Sequence, residues 1–389
     1  MSSSMTAKER LLATLQGKPC DRVPIYTQIP FALHDFAFVP GPFHGYADYD
    51  NWRERDPAYQ KLVRRMEIEC DNFFIWRPQC MKNSQFFLPP ATTVLREYHG
   101  ADGKVYREYT STVDGMQFKE VQAVQVGSGH SWEIEPLCKT TDDALRLLDL
   151  EWEGYPAQAE DFFELQKQLG DRGLMWVTVP SPIQSVCRLF DPSEFLILCR
   201  IDEVLIQRLM EMCATRIKRN LQALLEQGVG PIIRFGGAEH ATPPLMSNAD
   251  FDWLVVHYDT PLVDLCKRYG KMVAYHCHGN ITHALARFVE MGVDMTDPVE
   301  TTPDGNLSLC EARRLASDQL TLIGNVQIRD MAQAQPAAVR EKVRTIIEEA
   351  GPSHVIITTT GTPLEKMDKT TENNYHALID AVLEFGSRT

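Results

Sequence analysis

No run of apolar residues in the chain reaches the roughly 18 that a membrane-spanning helix needs, so the sequence offers no transmembrane segment. No Lys/Arg-rich stretch interrupts a net charge of -14, which argues against a nucleic-acid partner. The 10 cysteines include no C-x-x-C pair. That excludes a four-cysteine structural zinc site, and the scatter does not resemble a disulfide framework. They read as small buried hydrophobes of a reduced protein, so any metal has to use mixed ligands. Phosphate-binding loops are missing too: no G-x-G-x-x-G follows the first strand and no P-loop follows a later one. Met1 to Thr6 lacks the basic-then-apolar order of a secretion signal, which leads to the expectation of a cytoplasmic location.

What is present is ordinary globular material: 389 residues, 44% hydrophobic and 24% charged, enough for one large domain or two smaller ones. Thr6-Ala-Lys-Glu9 has the form of a capping box, followed by Leu11, Leu12 and Leu15 at helical spacing. Short apolar runs starting near residues 23, 70, 174, 231, 272, 293, 320 and 354 read as strands, each followed by a helical pattern. Eight βα units in one chain close most simply as a (β/α)8 TIM barrel, with an open doubly wound sheet as the alternative. The expectation is one decorated barrel domain over residues 1–389. A segment over 92–138, with a turn through Gly100-Ala-Asp-Gly103, reads as an antiparallel β-hairpin insertion between the second and third barrel strands.

Barrel active sites lie at the C-terminal ends of the strands, and polar residues concentrate there. The fifth strand ends in His276-Cys-His278. Strand alternation points the two imidazoles one way and Cys277 the other, unless a bulge at Gly279 reverses that parity. Two histidines with Glu239, one strand earlier, make a common three-ligand set for catalytic zinc; His240 is a substitute for either imidazole. Asp297 and Glu300 follow the sixth strand, as acid/base groups, as partners that orient an imidazole, or as helix caps. Asn325 joins them as a catalytic candidate. Tyr26, Trp76, Arg77, Gln327 and Thr360 occupy other strand exits and are the candidate substrate-binding residues. Arg77 and Arg234 are each suited to a substrate carboxylate, with an ion pair inside the barrel the alternative for Arg234. The aromatic-rich loop with Phe31, Phe36, Phe38, Phe43 and Tyr46 reads equally as an apolar lid or as packing.

Several stretches resemble the uroporphyrinogen decarboxylase superfamily: the opening from Thr6 to Pro24, His276-Cys-His-Gly-Asn280, Gly324-Asn325-Val-Gln327 and Thr371-Glu-Asn-Asn-Tyr375. The resemblance implies a (β/α)8 barrel. Porphyrin decarboxylases of that superfamily carry an arginine-rich loop after the first strand, whereas Tyr26-Thr-Gln-Ile-Pro-Phe-Ala-Leu33 has no arginine. The corrinoid-linked methyltransferase branch holds zinc by a strand-end H-x-C and a late cysteine. His276 matches that histidine, His278 stands where the first cysteine falls, and Thr358-Thr-Thr-Gly361 has threonine in place of the second. A harder site completed by Glu239 is expected instead.

The expected activity is therefore zinc-dependent transfer of a methyl group from a small O- or N-methylated compound, such as a methoxylated aromatic, to a corrinoid protein. The alternative is a metal-free decarboxylase of a carboxylated aromatic, using Arg77 and Asp297. A third reading is a non-enzymatic barrel that binds a corrinoid protein, and a homodimer is a further expectation.

Overall fold

The computed structural model describes residues 5–28, 56–89, 92–125, 131–351, 353–363 and 366–388. Twelve strands are found among them. They are β1 (Ile25–Tyr26), β2 (Asn72–Trp76), β3 (Thr92–His99), β4 (Lys104–Val113), β5 (Met116–Gln125), β6 (Ser131–Glu135), β7 (Gly173–Pro180), β8 (Ile232–Gly236), β9 (Met272–His276), β10 (Met295–Val299), β11 (Thr321–Val326) and β12 (Val355–Thr359). Eight form one parallel sheet in the order β1-β12-β11-β10-β9-β8-β7-β2. The seam between β1 and β2 is bridged by Asp71: its N–H donates to the Ile25 carbonyl at 2.7 Å, and its Oδ2 accepts from the Ile25 N–H at 2.9 Å. Arg10 and Arg22 both donate to the same carboxylate, which fixes the short first strand at a closure point where it has few ladder bonds of its own.

The strands are wrapped by helices, and their side chains divide by alternation. Tyr26, Phe73, Leu174, Trp176, Ile232, Ala274, Met295, Ile323 and Ile356 form one interior cluster. Their neighbours Val177, Ile233, Phe235, Val273, Leu322 and Ile357 belong to the larger layer between strands and helices. The capping box at Thr6 and Glu9 starts the helix Ala7–Leu15, which places Leu11 and Leu15 in the interior cluster as a plug. Removing either leucine side chain should cost roughly 2–5 kcal/mol, the range for an unfilled core cavity.

The turn at Gly100–Gly103 joins β3 to β4, within a unit larger than a hairpin: a four-stranded antiparallel sheet in the order β3-β4-β5-β6. Tyr98 and Tyr106, directly opposite across that first pair, stack with centroids 5.3 Å apart. Among the described residues, no helix is long and apolar enough to cross a membrane. The aromatic-rich loop around Phe31 to Tyr46 lies outside the described residues.

Candidate functional site

Strand parity sends Arg234 of β8, His276 of β9 and Asp297 of β10 into the barrel mouth, and the ladder sets them side by side. His276 pairs in register with Gly236 on one side and Asp297 on the other. The Arg234 guanidinium grips Asp297 with two bonds, Nε to Oδ1 at 3.1 Å and a terminal nitrogen to Oδ2 at 2.9 Å. His276 Nδ1 meets the same Oδ2 at 2.8 Å. Burial alone would raise the Asp297 carboxyl, but the Arg234 charge and the His276 ring hold it well below the usual carboxylate range. Asp297 is thus a fixed anion. Burial, reinforced by Arg234, pushes His276 below its ordinary value against the pull of Asp297, so the ring is neutral at pH 7. Beneath the trio, the Arg234 guanidinium lies 4.7 Å from the centre of the Trp176 ring, a cation–π contact inside the barrel.

A second carboxylate–imidazole pair sits just beyond the strand ends. His278 Nδ1 lies 3.0 Å from Glu300 Oε2, which also accepts from the Gly279 N–H at 3.0 Å. Burial would lower His278, but the bond to Glu300 and the charges of Glu300 and Glu239 outweigh it and raise the ring's pKa. The two imidazoles stand edge to face, centroids 4.6 Å apart. In each ring the carboxylate takes Nδ1, which leaves Nε2 as the atom available to a ligand.

Glu239 follows β8 in the short turn Ala238–Ala241. Entry to this turn needs Gly237: its φ is +100°, and a Cβ there would fall 2.2 Å from Gln184 Cβ. The Glu239 Oε2 atom is buried without a hydrogen-bond partner, and the Glu239 charge acts on His278, Cys277 and Arg234. An orphaned carboxylate oxygen and two anchored imidazoles fit zinc by donor type. Yet Glu239, His276 and His278 are not gathered into a finished ligand set. Among the described residues, no group of three His, Cys, Asp or Glu is placed to hold a metal ion. His240 lies beside Glu239 and Arg188 and is pushed down by burial. Cys277 faces the opposite way, fully buried, with its thiol pushed far up by desolvation.

The remaining candidates scatter. Tyr26 is in the interior, against Phe73 and Trp176, and feels the charges of Arg234, Asp297 and Arg77. Tyr26 therefore shares the interior face with the Arg234–Asp297 pair, and the Arg77 charge reaches it. Trp76 is elsewhere: it points to the helix layer, packs on Phe162 and donates from Nε1 to Asp161 at 3.0 Å. As a substrate contact it is corrected to a packing residue. Asn325 borders a crevice of about 220 Å³ beside Lys342 and Glu349 of the helix Pro336–Ala350, with its Oδ1 buried and unpartnered. Gln327 and Thr360 are occupied with each other. The Gln327 amide, turned to satisfy both ends, donates to Thr360 Oγ1 and Asp304 Oδ2, both at 3.1 Å, and accepts from the Thr301 N–H at 3.2 Å. These two clamp the exits of β10, β11 and β12 together.

Sequence reasoning passed over the polar group behind β9. Asp259 is completely buried, accepting from Ser181 Oγ at 3.1 Å and Tyr275 OH at 2.9 Å, and burial pushes its carboxyl up to about 7. Inside the barrel, Trp176 Nε1 and Thr178 Oγ1 are also buried without partners. Only strand phase would have pointed to them, since neither type announces a site.

A family model described as uroporphyrinogen decarboxylase (URO-D) matches residues 127–385. Among solved structures, a methyltransferase from Methanosarcina mazei superposes with a TM-score of 0.61 at 14% identity, covering 98% of this chain and 99% of that one. A B12-independent methionine synthase from Shewanella sp. W3-18-1, in complex with selenomethionine, gives a TM-score of 0.45 at 12% identity over 67% of this chain and 72% of that one. No curated protein sequence shows significant similarity.

Proposed function

This chain belongs to the uroporphyrinogen decarboxylase family, and from that premise we propose that it is a methyltransferase acting on a small O- or N-methylated compound. The observation that carries the reading is the pair of imidazoles, each anchored through Nδ1 to its own carboxylate and each keeping Nε2 for a ligand. The end-to-end likeness of fold to a solved methyltransferase supports it. His276, His278 and Glu239 are the residues that would hold zinc, Glu239 through an Oε2 that has no hydrogen-bond partner. Zinc held there would supply a Lewis acid for the heteroatom carrying the methyl group.

The chain's own residues supply the rest. Asp297 and Glu300 fix which nitrogen of each ring faces the ligand, and Arg234 keeps Asp297 ionised and in place. Beneath the Arg234–Asp297 pair, the buried rings of Trp176 and Tyr26 back the mouth with aromatic surface. In the reaction the C–O or C–N bond breaks, the methyl carbon passes to the acceptor, and the leaving heteroatom takes up a proton. The acceptor we propose is the reduced corrinoid of a partner protein.

The test is incubation of the zinc-loaded chain with methoxylated aromatics and reduced cobalamin, following methylcobalamin by absorbance. Methylcobalamin should form, and a His276→Ala/His278→Ala double variant should lose both zinc and activity. A metal-free protein of full activity, or an unimpaired double variant, overturns the proposal.

One observation favours a second reading. The two imidazoles are pushed apart, His276 downward and His278 upward, as in a base–acid pair. In a decarboxylase of aromatic acids, the C–C bond would break, carbon dioxide would leave, and His278 would return a proton to the ring carbon. Carbon dioxide release by metal-stripped protein would select this reading.

A further inference from the structure

We propose that the groove between Trp152 and the helix Glu203–Glu226 is a binding site for a small phosphate-bearing molecule. The groove has a volume of about 530 Å³, within the range of small-molecule sites. Arg208, Met212, Arg216 and Arg219 recur at helical spacing and line one side of it. Trp152 forms the other side, fixed by its Nε1 donating to the Gln85 carbonyl at 2.8 Å. Two guanidiniums lie over its ring, Arg216 at 4.9 Å and Arg219 at 5.3 Å from the centroid.

Three guanidiniums therefore converge on one groove of a chain whose net charge is -14. Among the described residues none of the three forms an ion pair. The single carboxylate in the groove, Glu211, accepts from Gln207 Nε2 at 2.7 Å. Arg216 is the telling member. It is half-buried, and its one hydrogen bond runs from a terminal nitrogen to the Phe86 carbonyl at 2.6 Å. Burial without a counter-charge pulls its pKa down to about 10. A desolvated guanidinium with spare donors is costly unless an anion meets it. The Trp152 ring holds both guanidiniums at the groove, and Arg216, with one terminal nitrogen bound to the Phe86 carbonyl, keeps further donors for the paired oxygens of a phosphate. Trp152 and Met212 leave room for an apolar or aromatic group attached to that phosphate.

The test is calorimetric titration of the full chain with inorganic pyrophosphate, with citrate as a carboxylate of comparable charge. Pyrophosphate should saturate one site per chain, and its affinity should fall about tenfold or more in an Arg208→Gln/Arg219→Gln variant. Both changed side chains are exposed, so the variant should keep its melting temperature. An Arg216→Lys variant should also bind more weakly, because it keeps the charge and loses the fork. No saturation below about 10 mM, equal affinity in the double-glutamine variant, or citrate binding as tightly as pyrophosphate would each overturn the assignment.

Discussion

Replacing Asp297 by Asn keeps the size of the side chain and removes its charge. Asp297 is 1% exposed at the side chain and Arg234 11%, so the change leaves a buried guanidinium facing an amide. Breaking such a pair from one side costs about 3–5 kcal/mol, because the surviving charge stays desolvated. For a chain of this length, that loss lowers the melting temperature by about 5 °C. His276 loses its anchor in the same step, so zinc affinity should fall by about 10–100-fold. Differential scanning calorimetry gives the first quantity and competition with a zinc chelator the second. An Arg234→Met/Asp297→Asn variant removes both charges and should recover part of the lost stability. An Asp297→Asn protein melting within about 1 °C of wild type would refute the reasoning, since Arg234 would then have another counter-charge.

Asp259 gives a pH prediction. Burial pushes its folded carboxyl up to about 7, from an ordinary value of 3.8. Below pH 3.8 it is neutral in both states and changes nothing. As pH rises toward 7 the unfolded chain releases the proton and the folded chain keeps it, so stability falls, by about 4 kcal/mol once the folded group has ionised. Asp259→Asn should therefore melt higher than wild type at pH 8 and show a flatter stability profile across this window; an equally steep profile would sink the idea. Glu300→Gln removes the group that raises His278, so the His278 resonance in an NMR titration should move to a lower midpoint, and an unmoved midpoint would show that Glu300 does not set it. Trp76→Phe removes the bond to Asp161 while keeping most of the packing on Phe162. It should cost about 1 kcal/mol and leave substrate KM unchanged, whereas a raised KM would return Trp76 to the site.

The fold was legible because parallel strands covered by helices are apolar on both faces and are punctuated by turns. That same property hid the phase of β2. In Phe73-Phe74-Ile75-Trp76 every residue is apolar, so nothing in the sequence says that Phe73 faces inward and Trp76 outward. In β9 the phase was readable, because His276 and His278 alternate with buried Tyr275 and Cys277. Contacts between strands were only half visible. Asp297 and Glu300 stood out as strand-end acids, but the pairing of Asp297 with His276 follows from the register of β9 with β10, and that of Glu300 with His278 from the loops beyond the two strands. Gln327 and Thr360 stood out for the same reason, and the sequence gives no sign that they satisfy each other.

The two imidazoles differ in what holds them, and that difference bears on how the site works. His276 is on a strand, its side chain 21% exposed, and its carboxylate is locked by a buried guanidinium. His278 lies past the strand end, its side chain 40% exposed, and Glu300 is secured by the loop N–H of Gly279. A ring held by the barrel wall keeps its position when ligands exchange, while a ring held by loop atoms can adjust to them. On the proposed reading, the deep imidazole would set where a ligand binds and the rim imidazole would adjust to it. Loosening Arg234 should accordingly disturb the inner ring, which it holds through Asp297, whereas loosening Glu300 should affect the outer one.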